Sequence, residues 1–182
     1  MSALLLVERA WALPLIMGIP LLGAIGVLVF GAHANRRETA SIVAGITTAI
    51  AVIQLWPYAN AGLSFELWHW QPGLSLNLTL EPLGLLFATV AACLWPVTTV
   101  YALGYMRGAQ EKHQTRFFFF FAVAISAALG IAFAGNGLTL FLFYEVLTLA
   151  TYPLVAHKGT AEARRGARIY LGILLSTSIG LF

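Results

Sequence analysis

Glu145 stands in an otherwise apolar run, Leu138 to Ala156, and a carboxylate placed there is a candidate proton carrier. An acid at the centre of a membrane helix costs roughly 2.5 to 3.5 kcal/mol on insertion scales, so such acids are rare and face a polar cavity or a partner. A rise of 1.5 Å per residue puts Glu145 about 12 Å from Gly137 and about 20 Å from Lys158, too deep in about 30 Å of hydrocarbon to snorkel out. Offsets of three and seven place Thr148 and Tyr152 on its face as a polar stripe, and Pro153, lacking an amide, frees a backbone carbonyl for water or a side chain. The arrangement reads as proton transfer at Glu145 supported by Thr148, Tyr152 and Pro153. The plainer alternative is a protonated Glu145 bonded to a neighbouring helix for structure alone. His157 and Lys158 follow at the helix end, where they suit either a proton relay or interface anchoring against the helix dipole.

An ionised carboxylate in this setting needs a counterpart or water. On this reading Glu145 is the one carboxylate inside a hydrophobic helix, and no Lys or Arg lies within the helices to pair with it. The partner is expected from another chain, from further sequence, or from water.

The elements that position these residues follow from composition. The chain has 182 residues, 60% hydrophobic and 9% charged, with a mean hydropathy of +0.86, against roughly 25% charged residues in soluble domains. This predicts an all-α, polytopic transmembrane helix bundle of about six helices, at about 12–31, 40–56, 83–105, 117–134, 138–156 and 161–182, within one transmembrane domain over 1–182. The first segment is read as a retained helix rather than a signal peptide, because Glu8 and Arg9 interrupt its n-region and its apolar run is long.

Between the second and third helices, the outer loop 58–81 changes period. Leu74, Leu76, Leu78 and Leu80 alternate with polar residues after the turn signal Gln71-Pro72-Gly73, which predicts a short β-hairpin-like element. Trp68-His69-Trp70 suits an interfacial aromatic belt.

Nine of the ten Lys and Arg fall at one set of helix ends, with Arg9 opposite. The positive-inside rule then puts the N-terminus on the periplasmic or extracellular side of a bacterial cytoplasmic (inner) membrane. The same distribution accounts for the net charge of +3 without a nucleic-acid partner. Cys93 reads as a small packing residue, and Phe117 to Phe121 as lipid and packing contacts, since five consecutive residues cover every side of a helix. Gly104 and Gly108 straddle the expected helix end at Arg107, which weakens a helix-dimerisation reading. Hydrolase, zinc-protease, P-loop and dinucleotide motifs are lacking, so the chain reads as a non-enzymatic transport subunit with no cofactor and no metal.

Four stretches carry a resemblance: Glu81-Pro-Leu-Gly-Leu-Leu-Phe87, Tyr101-Ala-Leu-Gly-Tyr-Met-Arg-Gly108, Gln114-Thr-Arg-Phe117 and above all Leu140 to Gly159. They resemble the proton-translocating antiporter family, which includes the D subunits of Mrp-type Na+/H+ antiporters and the antiporter-like membrane subunits of respiratory complex I and related hydrogenases. The wording is most similar to the Mrp D-type branch and covers Glu81 to Phe182, with the first two helices matching by pattern only. The resemblance implies about fourteen helices in two inverted repeats, of which this chain holds an N-terminal part. It also implies that the acid on the fifth helix, Glu145 here, pairs with a lysine on the seventh, beyond this sequence. A carboxylate about 4 Å from an ammonium, at an effective dielectric near 20, stabilises the charged lysine by about 4 kcal/mol, and separating the pair releases its proton.

The expectation is a subunit of a multisubunit monovalent cation (Na+)/H+ antiporter, working with other membrane subunits. A proton-pumping subunit of a complex I-like or hydrogenase complex is the first alternative, and a non-transporting scaffold the second.

Overall fold

The computed structural model describes residues 10–71 and 74–181. The described residues form a bundle of six α-helices with one two-stranded hairpin: α1 (Ala12–Val29), α2 (Ala34–Ile53), β1 (Ser64–Gln71), β2 (Leu74–Thr79), α3 (Pro82–Gly108), α4 (Gln114–Ala132), α5 (Gly137–Val155) and α6 (Ala161–Leu181). The first five helices are long and apolar enough to cross a membrane, whereas α6 opens on a charged stretch holding Glu162, Arg164, Arg165 and Arg168. The chain is a multi-pass membrane protein. Glu8 and Arg9, the Pro72-Gly73 part of the expected turn, and Phe182 lie outside the described residues.

The main core sits toward the hairpin end. Leu13 and Met17 of α1, Val52 of α2, Leu78 of β2, Leu85 and Ala88 of α3, and Leu129 of α4 are buried there together. A smaller cluster deeper in the bundle joins Ala24, Ala44, Trp95 and Ala122. Close approach depends on small residues: a Cβ at Gly23 would lie 2.5 Å from that of Ala44, so α1 and α2 touch backbone to side chain there. The helices α5 and α6 contribute less to the core, and Val146, Leu149, Ile173 and Ile179 stand exposed on them.

The hairpin forms as its alternation predicts, with Phe65 opposite Leu78 and Trp68 opposite Leu76. Leu78 turns inward while Trp68 and Trp70 stand exposed, and His69 Nδ1 lies 2.7 Å from Glu66 Oε1.

Four readings change. The helix α2 begins at Ala34 rather than near 40, so Glu38 is a second carboxylate inside a membrane-spanning helix, and it is buried. It is kept there by charge: Glu38 accepts from Arg37 Nη2 at 3.2 Å and Arg107 Nε at 3.1 Å, while Arg37 also donates to Gln114 Oε1 at 2.7 Å and Thr115 Oγ1 at 3.2 Å. Arg36, Arg37, Arg107 and Arg116 lie within membrane-spanning helices, where none was expected. The helix α3 also runs on to Gly108, and neither Gly104 nor Gly108 has a neighbour where a Cβ would stand. Cys93 faces outward on α3 instead of packing inside.

Candidate functional site

The helix α5 that carries Glu145 is fixed at its start. Asn136 caps it, its Oδ1 accepting from the Thr139 amide at 2.8 Å and the Thr139 hydroxyl at 2.7 Å. The linker from α4 joins the hairpin almost as a third strand: Thr79 N donates to Phe133 O at 2.7 Å, Gly135 N to Asn77 O at 2.8 Å, and Asn136 Nδ2 to Ser75 O at 2.7 Å. Asn77 N in turn donates to Thr139 Oγ1 at 2.9 Å. Gly135 is required by this junction, since a Cβ would stand 2.3 Å from Thr79 Oγ1.

Glu145 lies eight residues into α5 and is half-buried. Its carboxylate accepts a hydrogen bond from the hydroxyl of Ser178 on α6, itself buried. Ser178 Oγ is also 3.1 Å from the carbonyl oxygen of Leu175. A hydroxyl has one hydrogen and two lone pairs, so this serine can serve both states of the acid. When Glu145 is ionised, Ser178 donates to it. When Glu145 is protonated, the acid can donate to Ser178 Oγ while the serine turns its hydrogen to Leu175.

Thr148, one turn on, is buried. Tyr152 and Pro153 line a cavity of about 340 Å³ with Phe120, Ala156, Arg116 and Arg164, and α5 continues through the proline to Val155. His157 and Lys158 line a second cavity of about 460 Å³, which shares Arg116, Gly159 and Arg164 with the first. The His157 ring lies edge-on to Phe117 at 5.4 Å, and both of its nitrogens are buried without a partner. Burial, and then the neighbouring Arg116 guanidinium, push the His157 pKa below its ordinary value of 6.5. Arg116 also donates to the His157 carbonyl at 3.3 Å.

The expected residues therefore form two groups along α5. Glu145 faces Ser178, whereas Tyr152, Pro153, His157 and Lys158 border the paired cavities, and Glu145 lines neither of them.

Comparison with known proteins bears on the whole arrangement. The A/B subunit of a probable K+/H+ antiporter from Rhizobium meliloti is 29% identical over 171 residues, covering 90% of this chain and 17% of the relative. The N subunit of the NADH-quinone oxidoreductase of Desulforudis audaxviator is 29% identical over 159 residues, covering 87% and 28%. The D subunit of the Na+/H+ antiporter of Alkalihalophilus pseudofirmus is 25% identical over 163 residues, covering 88% and 33%. The homologues are antiporter-type membrane subunits. The fold is also that of a chain in the membrane-bound sulfane sulfur reductase, an archaeal respiratory membrane complex, with a TM-score of 0.75 at 20% identity over 93% of this chain and 26% of that one. No protein-family model matches this chain. The chain spans about a sixth to a third of the length of these three antiporter-like relatives.

Two features of this bundle escaped sequence reasoning. Ser178 was signalled by the polar run Ser176-Thr177-Ser178 in an apolar helix, but only folding shows that it meets Glu145. The Arg37–Glu38–Arg107 cluster was signalled by an acid directly after two arginines at a helix start, which reads equally well as a solvated end.

Proposed function

We propose that this chain is a proton-translocating membrane subunit of a multisubunit monovalent cation/proton antiporter, and that Glu145 is its proton-transfer residue. The observation that carries this reading is the Glu145 carboxylate on a membrane helix, bonded by a serine that can serve both its protonation states. The names of the relatives, which couple K+ or Na+ to H+, support a monovalent alkali cation, Na+ being the cation of the Mrp-type resemblance. Glu145 is half-buried, and exposed apolar residues flank it on α5. That surface suits further helices, including one that brings a lysine ammonium near the carboxylate. Water reaching Tyr152 and Pro153 through the paired cavities would supply one side of the path, with His157 and Lys158 at its mouth. On the positive-inside rule that mouth is cytoplasmic, in a bacterial inner membrane.

Glu145→Gln in the intact complex tests this. It keeps the shape and removes the titrating group, so cation-dependent proton flux should fall to background while the complex assembles normally. Unchanged flux, or loss of assembly in place of loss of flux, overturns it.

A second reading, a proton-pumping subunit of a redox-driven membrane complex, is favoured by the relation to the N subunit of NADH-quinone oxidoreductase. It uses the same Glu145. Co-purification with iron–sulfur subunits, rather than with small antiporter subunits alone, separates the two.

A further inference from the structure

The paired cavities hold an excess of positive charge that the fold leaves unneutralised. Lys112, Arg116, Lys158 and Arg164 line the larger one against a single carboxylate, Glu111: four positive charges less one negative leave three, the two histidines left out of the count. Among the described residues none of these four cations makes an ion pair; the salt bridges there are Arg37–Glu38, Arg107–Glu38 and His69–Glu66. The contrast with the nearby Arg37–Glu38–Arg107 cluster is informative, because there the charges are satisfied inside the protein. At the cavity they await something anionic.

Three further observations define that anion. The helix α4 begins at the cavity edge after His113, with no side chain capping its first amides, and a helix start attracts negative charge and offers free N–H donors. The His157 ring stands in the lining with both nitrogens buried and without a partner. The adjoining cavity shares Arg116, Gly159 and Arg164 with the first and adds Phe120, Tyr152, Pro153 and Ala156, so a basic basin adjoins a slot with one apolar wall at the end of the membrane spans. A free inorganic anion would use only the basin. An amphiphile uses both.

We propose that this cavity binds the phosphate headgroup of an anionic phospholipid, whose glycerol and first acyl carbons lie in the slot against Phe120 and Pro153. The basin volume of about 460 Å³ falls in the range of about 300 to 1,000 Å³ that takes small ligands, and basic pockets between membrane helices suit such headgroups. The bound lipid would sit at the foot of the Glu145 helix. The site is independent of whether the chain moves protons.

The test is native mass spectrometry of the full chain in zwitterionic detergent, titrated with phosphatidylglycerol or phosphatidylcholine. Retention of one phosphatidylglycerol in preference to phosphatidylcholine is expected. Lys112→Gln/Lys158→Gln/Arg164→Gln should weaken it about tenfold or more. Arg36→Gln/Arg165→Gln/Arg168→Gln removes the same charge outside the cavity and should change it less than twofold. Lys112→Arg/Lys158→Arg keeps the charge and should keep the lipid, which separates lost recognition from lost folding. Equal loss in the charge-matched control, or equal retention of both lipids, overturns the proposal. So does displacement of the lipid by inorganic phosphate at low millimolar concentration, which would assign the basin to a soluble anion.

Discussion

Ser178 on α6 donates its hydroxyl hydrogen to the Glu145 carboxylate on α5, so the acid that the sequence marks out is held by a neighbouring helix of the same chain. The partners expected from sequence were a lysine elsewhere, water, or, on the plainer structural alternative, a neighbouring helix, and Ser178 is of the last kind. A serine carries no charge and can bond either form of an acid, so it orients the carboxylate without pairing with it.

Removing that hydroxyl isolates its contribution. A hydrogen bond to a charged group is worth about 1.5 to 3 kcal/mol, or about tenfold or more in a rate that depends on it. Ser178→Ala should lower proton-coupled transport by about that factor with normal abundance of the complex, whereas Ser178→Thr, which keeps the hydroxyl, should retain most of it. Vesicle proton-flux assays on both variants check this, and equal activity in all three proteins would show that Ser178 is incidental.

The buried Arg37–Glu38 pair makes a different kind of prediction, about stability. Both side chains are almost wholly buried, at 7% and 6% exposure, whereas Arg107 is 51% exposed. Glu38→Gln strands the Arg37 charge and should destabilise the bundle by about 3 to 5 kcal/mol. Arg107→Gln leaves the buried pair intact and should cost about 1 kcal/mol or less. Thermal unfolding midpoints in detergent distinguish these, and Glu38→Gln/Arg37→Met should recover part of the loss.

Gly135 tests the junction at the other end of the bundle. With 2.3 Å between a new Cβ and Thr79 Oγ1, and 3.1 Å to the Asn77 carbonyl oxygen, any side chain must push the linker off the hairpin. Gly135→Ala should cost about 1 to 3 kcal/mol of stability. Proteolysis at the hairpin should accelerate in parallel.

His157 gives stability a pH dependence whose sign follows from its surroundings. Its folded pKa lies below the unfolded value of 6.5, chiefly through burial and then through Arg116. Between the two values the unfolded chain binds more protons, so its contribution is fully present above about pH 6.5 and is lost as pH falls through the folded value. His157→Phe preserves the contact with Phe117 and should flatten this part of the profile when melting is followed from pH 8 to pH 5. A profile unchanged by the substitution would place the acid sensitivity elsewhere.

The legible parts of the fold were those set by local pattern. Long apolar runs marked the first five helices, a shorter one behind a charged start marked α6, and strict alternation from Leu74 to Leu80 marked β2, because both periods are properties of a few consecutive residues. The start of α2 was illegible for a physical reason: Arg37 and Glu38 look like solvent-facing residues until Arg107, 69 positions later than Glu38, arrives to share the charge. The same holds at the candidate site. Glu145 announced itself by the cost of an acid in hydrocarbon, whereas Ser178, 33 positions away, is an ordinary helix residue until α5 and α6 pack.

The hairpin junction has a mechanical consequence. Four hydrogen bonds tie the strand residues Ser75, Asn77 and Thr79 to the Phe133–Thr139 segment at the start of α5, while the far end of that helix passes through Pro153, and Arg116 donates to the His157 carbonyl just beyond. A clamp at one end sets the position of the whole rod: at about 1.5 Å per residue Glu145 stands about 14 Å from Asn136, so the depth of the acid is measured from the hairpin.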